Sequence, residues 1–198
     1  MAIIQSGLDS SLLTVTSAGV ALVANCRPDG EPEHPTYSGE YFAGGSMRFT
    51  AALASSSAIF ALRNGASKVM RIMEGQITLS FDGTAAASSF QASLRRFTTA
   101  TPTGGTAITV VLEHTTDPAS TVADARIAAA GTALTTTGLV IGAPIYNAIL
   151  PRGATGGVAN FVLTRDVVLE PNEGILIQYD AVGVIGDGIA ATFYWGEA

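Results

Sequence analysis

The sequence predicts an all-β protein, an antiparallel β-sandwich preceded by an extended N-terminal arm. Two observations carry that prediction. Almost every apolar stretch is short, β-branched or alternating, and Gly, Pro, Asn or Asp stops it within about a dozen residues. These stretches also follow one another without interleaved helical periodicity, which excludes a parallel α/β fold.

The first strand signal is Val20 to Cys26, in which Val20, Leu22, Ala24 and Cys26 share one face. It ends in Pro28-Asp29-Gly30-Glu31-Pro32-Glu33-His34-Pro35, whose three prolines forbid a regular ladder. Residues 1–35 are therefore read as an arm and Pro-rich linker, and residues 36–198 as the main domain. Strands are expected at 39–43, 46–51, 67–73, 75–81, 89–97, 107–113, 124–129, 159–163, 166–169, 174–179 and 189–195. Within 75–81, Ile77, Leu79 and Phe81 alternate with Gln76, Thr78 and Ser80, the pattern of a strand with one wet face. Phe90, Ala92 and Leu94 alternate in the same way with Gln91, Ser93 and Arg95. Residues 51–64 read either as a short helix stopped by Gly65 or as strand. Residues 167–177 read as a hairpin about Pro171-Asn172-Glu173-Gly174, with a type I turn. Eight or more strands suit two facing four-stranded sheets, so a jelly roll is the expected form of the sandwich.

The chain has 198 residues, a formal charge of −6 and a single lysine, Lys68. The net negative charge lies in the second half, which holds three basic and nine acidic residues against seven and seven in the first, and no basic cluster exists beyond Arg95-Arg96. Nucleic acid is therefore not an expected partner. No run approaches the roughly 18 to 20 apolar residues of a spanning helix, so no membrane partner is expected either. Cys26 is the only cysteine, which rules out an intrachain disulfide scaffold. Few long charged side chains and many Ala, Thr, Ser and Gly residues describe a surface that faces protein.

No enzyme is expected. The only histidines are His34, in the linker, and His114, at the end of a strand, too few for the usual multi-histidine sites. Glu113-His114-Thr115-Thr116-Asp117 offers three donors, yet Glu113 and His114 point to opposite faces of a strand. The carboxylate pairs Asp166 with Glu170 and Glu170 with Glu173 read as solvated groups beside a turn. No catalytic, cofactor-binding or metal-binding residue is assigned, and no cofactor. The glycine-rich pieces 101–106, 152–157 and 183–188 lack the Gly-Lys-Ser/Thr ending of a phosphate loop. Loop tips on a rigid scaffold are usual contact points. The interface candidates are accordingly Thr103, Gly104 and Gly105 in the first loop, Arg152, Gly153 and Thr155 in the second, and Ile3, Ile4 and Gln5 in the arm. The rings at Tyr37, Tyr41, Phe42 and Phe49, and at Phe193, Tyr194 and Trp195, read as core packing rather than as a carbohydrate platform.

Four features taken together resemble the capsid decoration, or cement, proteins of tailed bacteriophages. They are the start Ala2-Ile3-Ile4-Gln5-Ser6, the Gly/Thr/Ala-rich β-domain, the segment Leu169-Glu170-Pro171-Asn172-Glu173-Gly174-Ile175, and the finish Phe193-Tyr194-Trp195-Gly196-Glu197. The resemblance implies a non-catalytic clamp that assembles in the host cytoplasm and resides on the capsid surface of the virion. Its implied partners are the major capsid protein and further copies of itself, as a homotrimer. The arm would add a strand to a neighbour's sheet edge. A head-fibre, tail or receptor-binding β-module shares the same composition and is the alternative.

Overall fold

A computed structural model of the chain describes residues 37–82, 89–152, 157–181 and 183–198, together with the backbone of 3–5, 12–15 and 21–24. The chain divides into two compact units, Met1–Tyr37 and Ser38–Ala198. In the first, β1 (Ile3–Gln5), β2 (Leu12–Val15) and β3 (Ala21–Ala24) form an antiparallel sheet in the order β1-β2-β3. The expected arm thus contains strands that pair with one another, Ile3 opposite Thr14 and Leu12 opposite Ala24. Cys26 and His34 lie outside the described residues.

The second unit contains β4 (Gly39–Arg48), β5 (Ser57–Arg63), β6 (Met70–Phe81), β7 (Ser89–Thr98), β8 (Thr106–Ala107), β9 (Val111–Leu112), β10 (Asp124–Ile127), β11 (Val140–Pro151), β12 (Gly157–Val162), β13 (Val167–Leu169), β14 (Gly174–Tyr179) and β15 (Asp187–Glu197). No helix occurs among the described residues. Two antiparallel sheets pack face to face, ordered β11-β7-β14-β5-β10-β8 and β12-β6-β15-β4-β9, with β13 also pairing with β6. The pairing of the long strands is nested: β4 with β15, β5 with β14, β6 with β12, and β7 with β11. Successive pairs fall in alternate sheets.

The core between the sheets is aromatic. Phe60 of β5 meets Phe193 of β15 at 5.2 Å between ring centres, and Phe49 meets Tyr179 of β14 edge-on at 5.6 Å. The alternation read in β6 holds, with Ile77, Leu79 and Phe81 buried; in β7 Phe90, Ala92 and Leu94 are buried as expected, but Ser93, expected on the wet face, is buried as well. Strands β5 and β14 depart from it. Ile59, Phe60, Ala61 and Leu62 are all buried, as are Ile175, Leu176 and Ile177, so both strands are covered on both faces. Burial on both faces also decides residues 51–64, whose apolar run becomes β5.

Several expectations are corrected. The strands expected at 39–43 and 46–51 are one strand, β4, the strand expected at 107–113 divides into β8 and β9 in different sheets, and both sheets have six strands rather than four. The strands expected at 67–73 and 75–81 are one strand, β6, with a register shift opposite Tyr194 and Trp195 that leaves Met73 as the extra residue. Gly75 follows that bulge because a Cβ there would lie 2.7 Å from the Phe193 ring. Residues 167–177 do not form a hairpin: β13 pairs with β6 in one sheet, while β14 pairs with β5 and β7 in the other. The turn between them is type II rather than type I. Glu173 N donates to Glu170 O at 3.0 Å, and Asn172 takes φ 68° at the position that requires a positive value. Finally, β11 has no counterpart among the expected strands. It contains Gly142 and Pro144, which are tolerated at a sheet edge with register shifts on either side of Pro144.

Candidate functional site

The outer face of β12-β6-β15-β4 carries a block of small, neutral side chains. Strand registers align three rows across it. Asn160, Thr78, Ala190 and Ser46 form one, Val162, Gln76, Thr192 and Gly44 a second, and Val158, Ser80, Gly188 and Arg48 the third. Arg48 is the only charged residue of the twelve positions, and its guanidinium pairs with Asp82. The remaining residues are small or neutral, so these rows are nearly free of charge and line a shallow depression of about 370 Å³; Glu74 opposite Tyr194, and Arg71 and Glu40 opposite Gly196, border them with charge on the same face. Next to these rows, Tyr194 stacks on Phe42 at 5.4 Å and 28°, with Tyr194 37% exposed. Its neighbours Phe193 and Trp195 are fully buried, as alternation predicts.

The interface candidates from the sequence fall in different settings. Thr103, Gly104 and Gly105 are exposed but held: Thr103 exchanges backbone hydrogen bonds with Thr135 at 3.1 and 2.9 Å, and Arg126 Nη1 donates to Gly104 O at 2.7 Å. Gly104 and Gly105 take positive φ values of 79° and 63°. The side chains of Ile3, Ile4 and Gln5 lie outside the described residues, as do Gly153 and Thr155. Arg152 turns inward and has no solvent face to offer a partner. Its Nε donates to Asp187 Oδ1 at 2.8 Å and its Nη2 to Asp187 Oδ2 at 2.5 Å, with both side chains fully buried. Tyr179 Oη donates to Asp187 Oδ2 at 2.5 Å, Arg152 Nη2 also bonds the Tyr179 hydroxyl, and Val184 N donates to Asp187 Oδ2 at 3.1 Å. Burial, then the hydrogen bond to Asp187, pushes the Tyr179 hydroxyl well above the ordinary tyrosine range. The hydrogen bond to Asp187 raises Arg152 further. The cluster is closed to solvent and ties the end of β11 to β14 and β15.

A second buried carboxylate, Glu197, was not singled out by the sequence. Its oxygens accept from Ser120 Oγ at 2.5 Å, from Thr121 N at 3.0 and 2.9 Å, from Thr121 Oγ1 at 2.8 Å and from Trp195 Nε1 at 3.3 Å. It fastens the connection after β9 to the last strand. Asn64 does similar work with its Nδ2, which donates to Lys68 O, Leu169 O and Glu170 O at 2.7, 3.1 and 3.2 Å. No sequence pattern marks these residues, because each depends on partners far away in the chain.

The residues weighed for chemistry serve as braces. Asp117 Oδ2 accepts from Glu40 N at 3.0 Å, and Asp117 N donates to His114 O at 3.0 Å. Glu173 accepts from Arg96 at 3.2 Å and from Glu170 N at 3.0 Å, while Asp166 pairs with Arg71. An open groove of about 350 Å³ lies beside β11, with Arg96, Ile145, Tyr146, Leu163, Arg165 and Asp166 among its lining residues. Arg96 and Asp166 there are already engaged with Glu173 and Arg71. Among the described residues, no group of three His, Cys, Asp or Glu side chains is placed to hold a metal. No protein-family model matches the chain, and no curated protein matches it.

Proposed function

We propose that this protein is a non-enzymatic virion component, a capsid decoration or cement protein that binds the major capsid lattice and stabilises the head. The observation that carries the reading is the outer face of β12-β6-β15-β4, with one charge in twelve aligned positions. Small neutral side chains lose little conformational entropy when covered, which suits a permanent contact with another protein. The buried polar clusters favour the same reading, since each is spent on tying strands together. The nested pairing of eight long strands, alternating between two sheets, supports a jelly roll, an architecture found in viral capsid domains. The exposed Phe42–Tyr194 stack favours a second reading, a receptor- or glycan-binding head module.

The test is to add the purified chain to capsids that lack it, alongside Thr78→Arg and Ala190→Arg, which set charge at the centre of the neutral face. Loss of at least about tenfold in capsid affinity, roughly 1.4 kcal/mol, with an unchanged melting curve supports the decoration reading. A chain that ignores capsids but binds glycans, and loses that binding in Tyr194→Ala, supports the alternative.

A further inference from the structure

Strands β11 and β12 are the edges of the two sheets on one side of the sandwich, and neither contains a charged residue. Each presents the same outward pattern: Ile145-x-Asn147-x-Ile149 in β11 and Val158-x-Asn160-x-Val162 in β12. The four aliphatic side chains are 43, 52, 68 and 48% exposed in that order. Soluble proteins usually guard such edges with lysines, inward-pointing charges or a covering segment. Among the described residues, Pro144, Pro151 and the bulge at Ile145 interrupt β11, which leaves residues 146–150 as regular edge strand.

Both patterns are symmetric about their asparagines. Directly opposite residues of an antiparallel pair lie on the same face, so only registers that keep parity preserve the inside and outside of a sheet. A two-fold axis at Asn147 keeps it. That axis sets Asn147 against Asn147 of a second copy and Tyr146 against Ala148, with Ile149 of each copy facing the bulge residue Ile145 of the other. An axis at Asn160 likewise sets Val158 against Val162. The two positions are level across the sandwich. Leu150 Cδ1 lies 3.3 Å from where a Cβ on Gly157 would stand, and Leu163 lines the same groove as Ile145 and Tyr146. Asn147 and Asn160 are each three residues from the Leu150–Gly157 contact, so one axis passes both.

We propose that the chain forms a two-fold dimer through this flank, with β11 continuing into β11 and β12 into β12 of a second copy, so that both sheets run across the interface. Charge selects the occupant. A chain of net charge −6 repels its own copy over most approaches, whereas this flank brings no like charges together. A palindromic face also fits an isologous contact, in which each patch meets itself. The inference gives the expected self-association a geometry and does not rest on the capsid reading, although Val158, Asn160 and Val162 belong to both surfaces; its two-fold symmetry competes with the trimer implied by resemblance.

The experiment is sedimentation of the full chain across a wide concentration range, with Ile149→Lys, Val158→Lys and the control Ile185→Lys, an equally exposed aliphatic site outside the flank. The expected result is a mass of two chains that falls to one in both flank variants and persists in the control, with melting of the isolated subunit unchanged. In a Cys26→Ser background, Asn147→Cys should oxidise to a covalent dimer, since the axis places it opposite itself. A single chain at every concentration, a mass of three chains, or a dimer that survives both flank lysines and resists the cross-link overturns the proposal. A dimer that ignores capsids leaves it intact and overturns only the capsid reading; a monomer that coats capsids does the reverse.

Discussion

Arg152 and Asp187 meet as a two-pronged ion pair with both side chains fully out of solvent, joining the end of β11 to the start of β15. Breaking such a pair leaves one buried charge without its partner, at a cost of about 3–5 kcal/mol. Asp187→Ala is therefore expected to lower the unfolding free energy by that amount in urea titration. Replacing both residues with apolar ones of similar volume should recover most of it. A double variant that loses the sum of the two single losses would show that the pair is not coupled.

The pH dependence follows from Tyr179. Its pKa in the fold lies above the unfolded value of about 10, so the folded state keeps the hydroxyl protonated where the unfolded chain would ionise. The stability it supplies is complete below about pH 10 and is lost as pH rises from there toward the folded pKa. Tyr41 shifts the same way, chiefly through burial, with Glu197 and Asp117 adding to it. Denaturation followed at increasing alkaline pH should show a falling midpoint, with a shallower fall in Tyr179→Phe.

Glu197 collects donors from Ser120, Thr121 and Trp195 at full burial. Glu197→Ala strands those donors and is expected to cost about 3 kcal/mol, with Glu197→Gln intermediate. Hydrogen exchange at the Thr121 amide, bonded directly to the carboxylate, should accelerate in Glu197→Ala more than exchange in β14.

Asn172 holds φ 68° in the turn between the sheets. A β-branched residue there is strained, so Asn172→Val should destabilise by about 1–3 kcal/mol while Asn172→Gly stays within a few tenths. A thermal melt of the two variants separates the outcomes.

Much of this sheet architecture was legible because alternation is a local signal. Ile77, Leu79 and Phe81, and Phe90, Ala92 and Leu94, report their buried face to anyone reading every second residue. What escaped is what depends on the partner. Val167 to Ile177 look like two arms of a hairpin, since nothing in the segment says that its halves belong to opposite sheets. Strand β11 holds a proline, Pro144, that an interior strand would not tolerate, and nothing local says that it lies at a sheet edge. Arg152 looked like a loop cation because Asp187, thirty-five residues away, is what draws it inside. The block of neutral side chains on the outer face was invisible for the same reason, as it arises only when four strands distant in sequence come into register.

The strand order also fixes when the domain can first exist. β15 lies between β4 and β6, and β14 lies between β5 and β7. The middle of each sheet is therefore the last part of that sheet's long strands to be synthesised. A nascent chain that has released everything through β12 still has two half-sheets with an open slot in each, and their facing edges cannot pair with each other at that spacing. Such a chain carries unmatched edges until both central strands arrive, and closing them over so many intervening residues is entropically slow. The window in which it is vulnerable to mispairing, or in need of a chaperone, is set by the interval between the emergence of β7 and of β15.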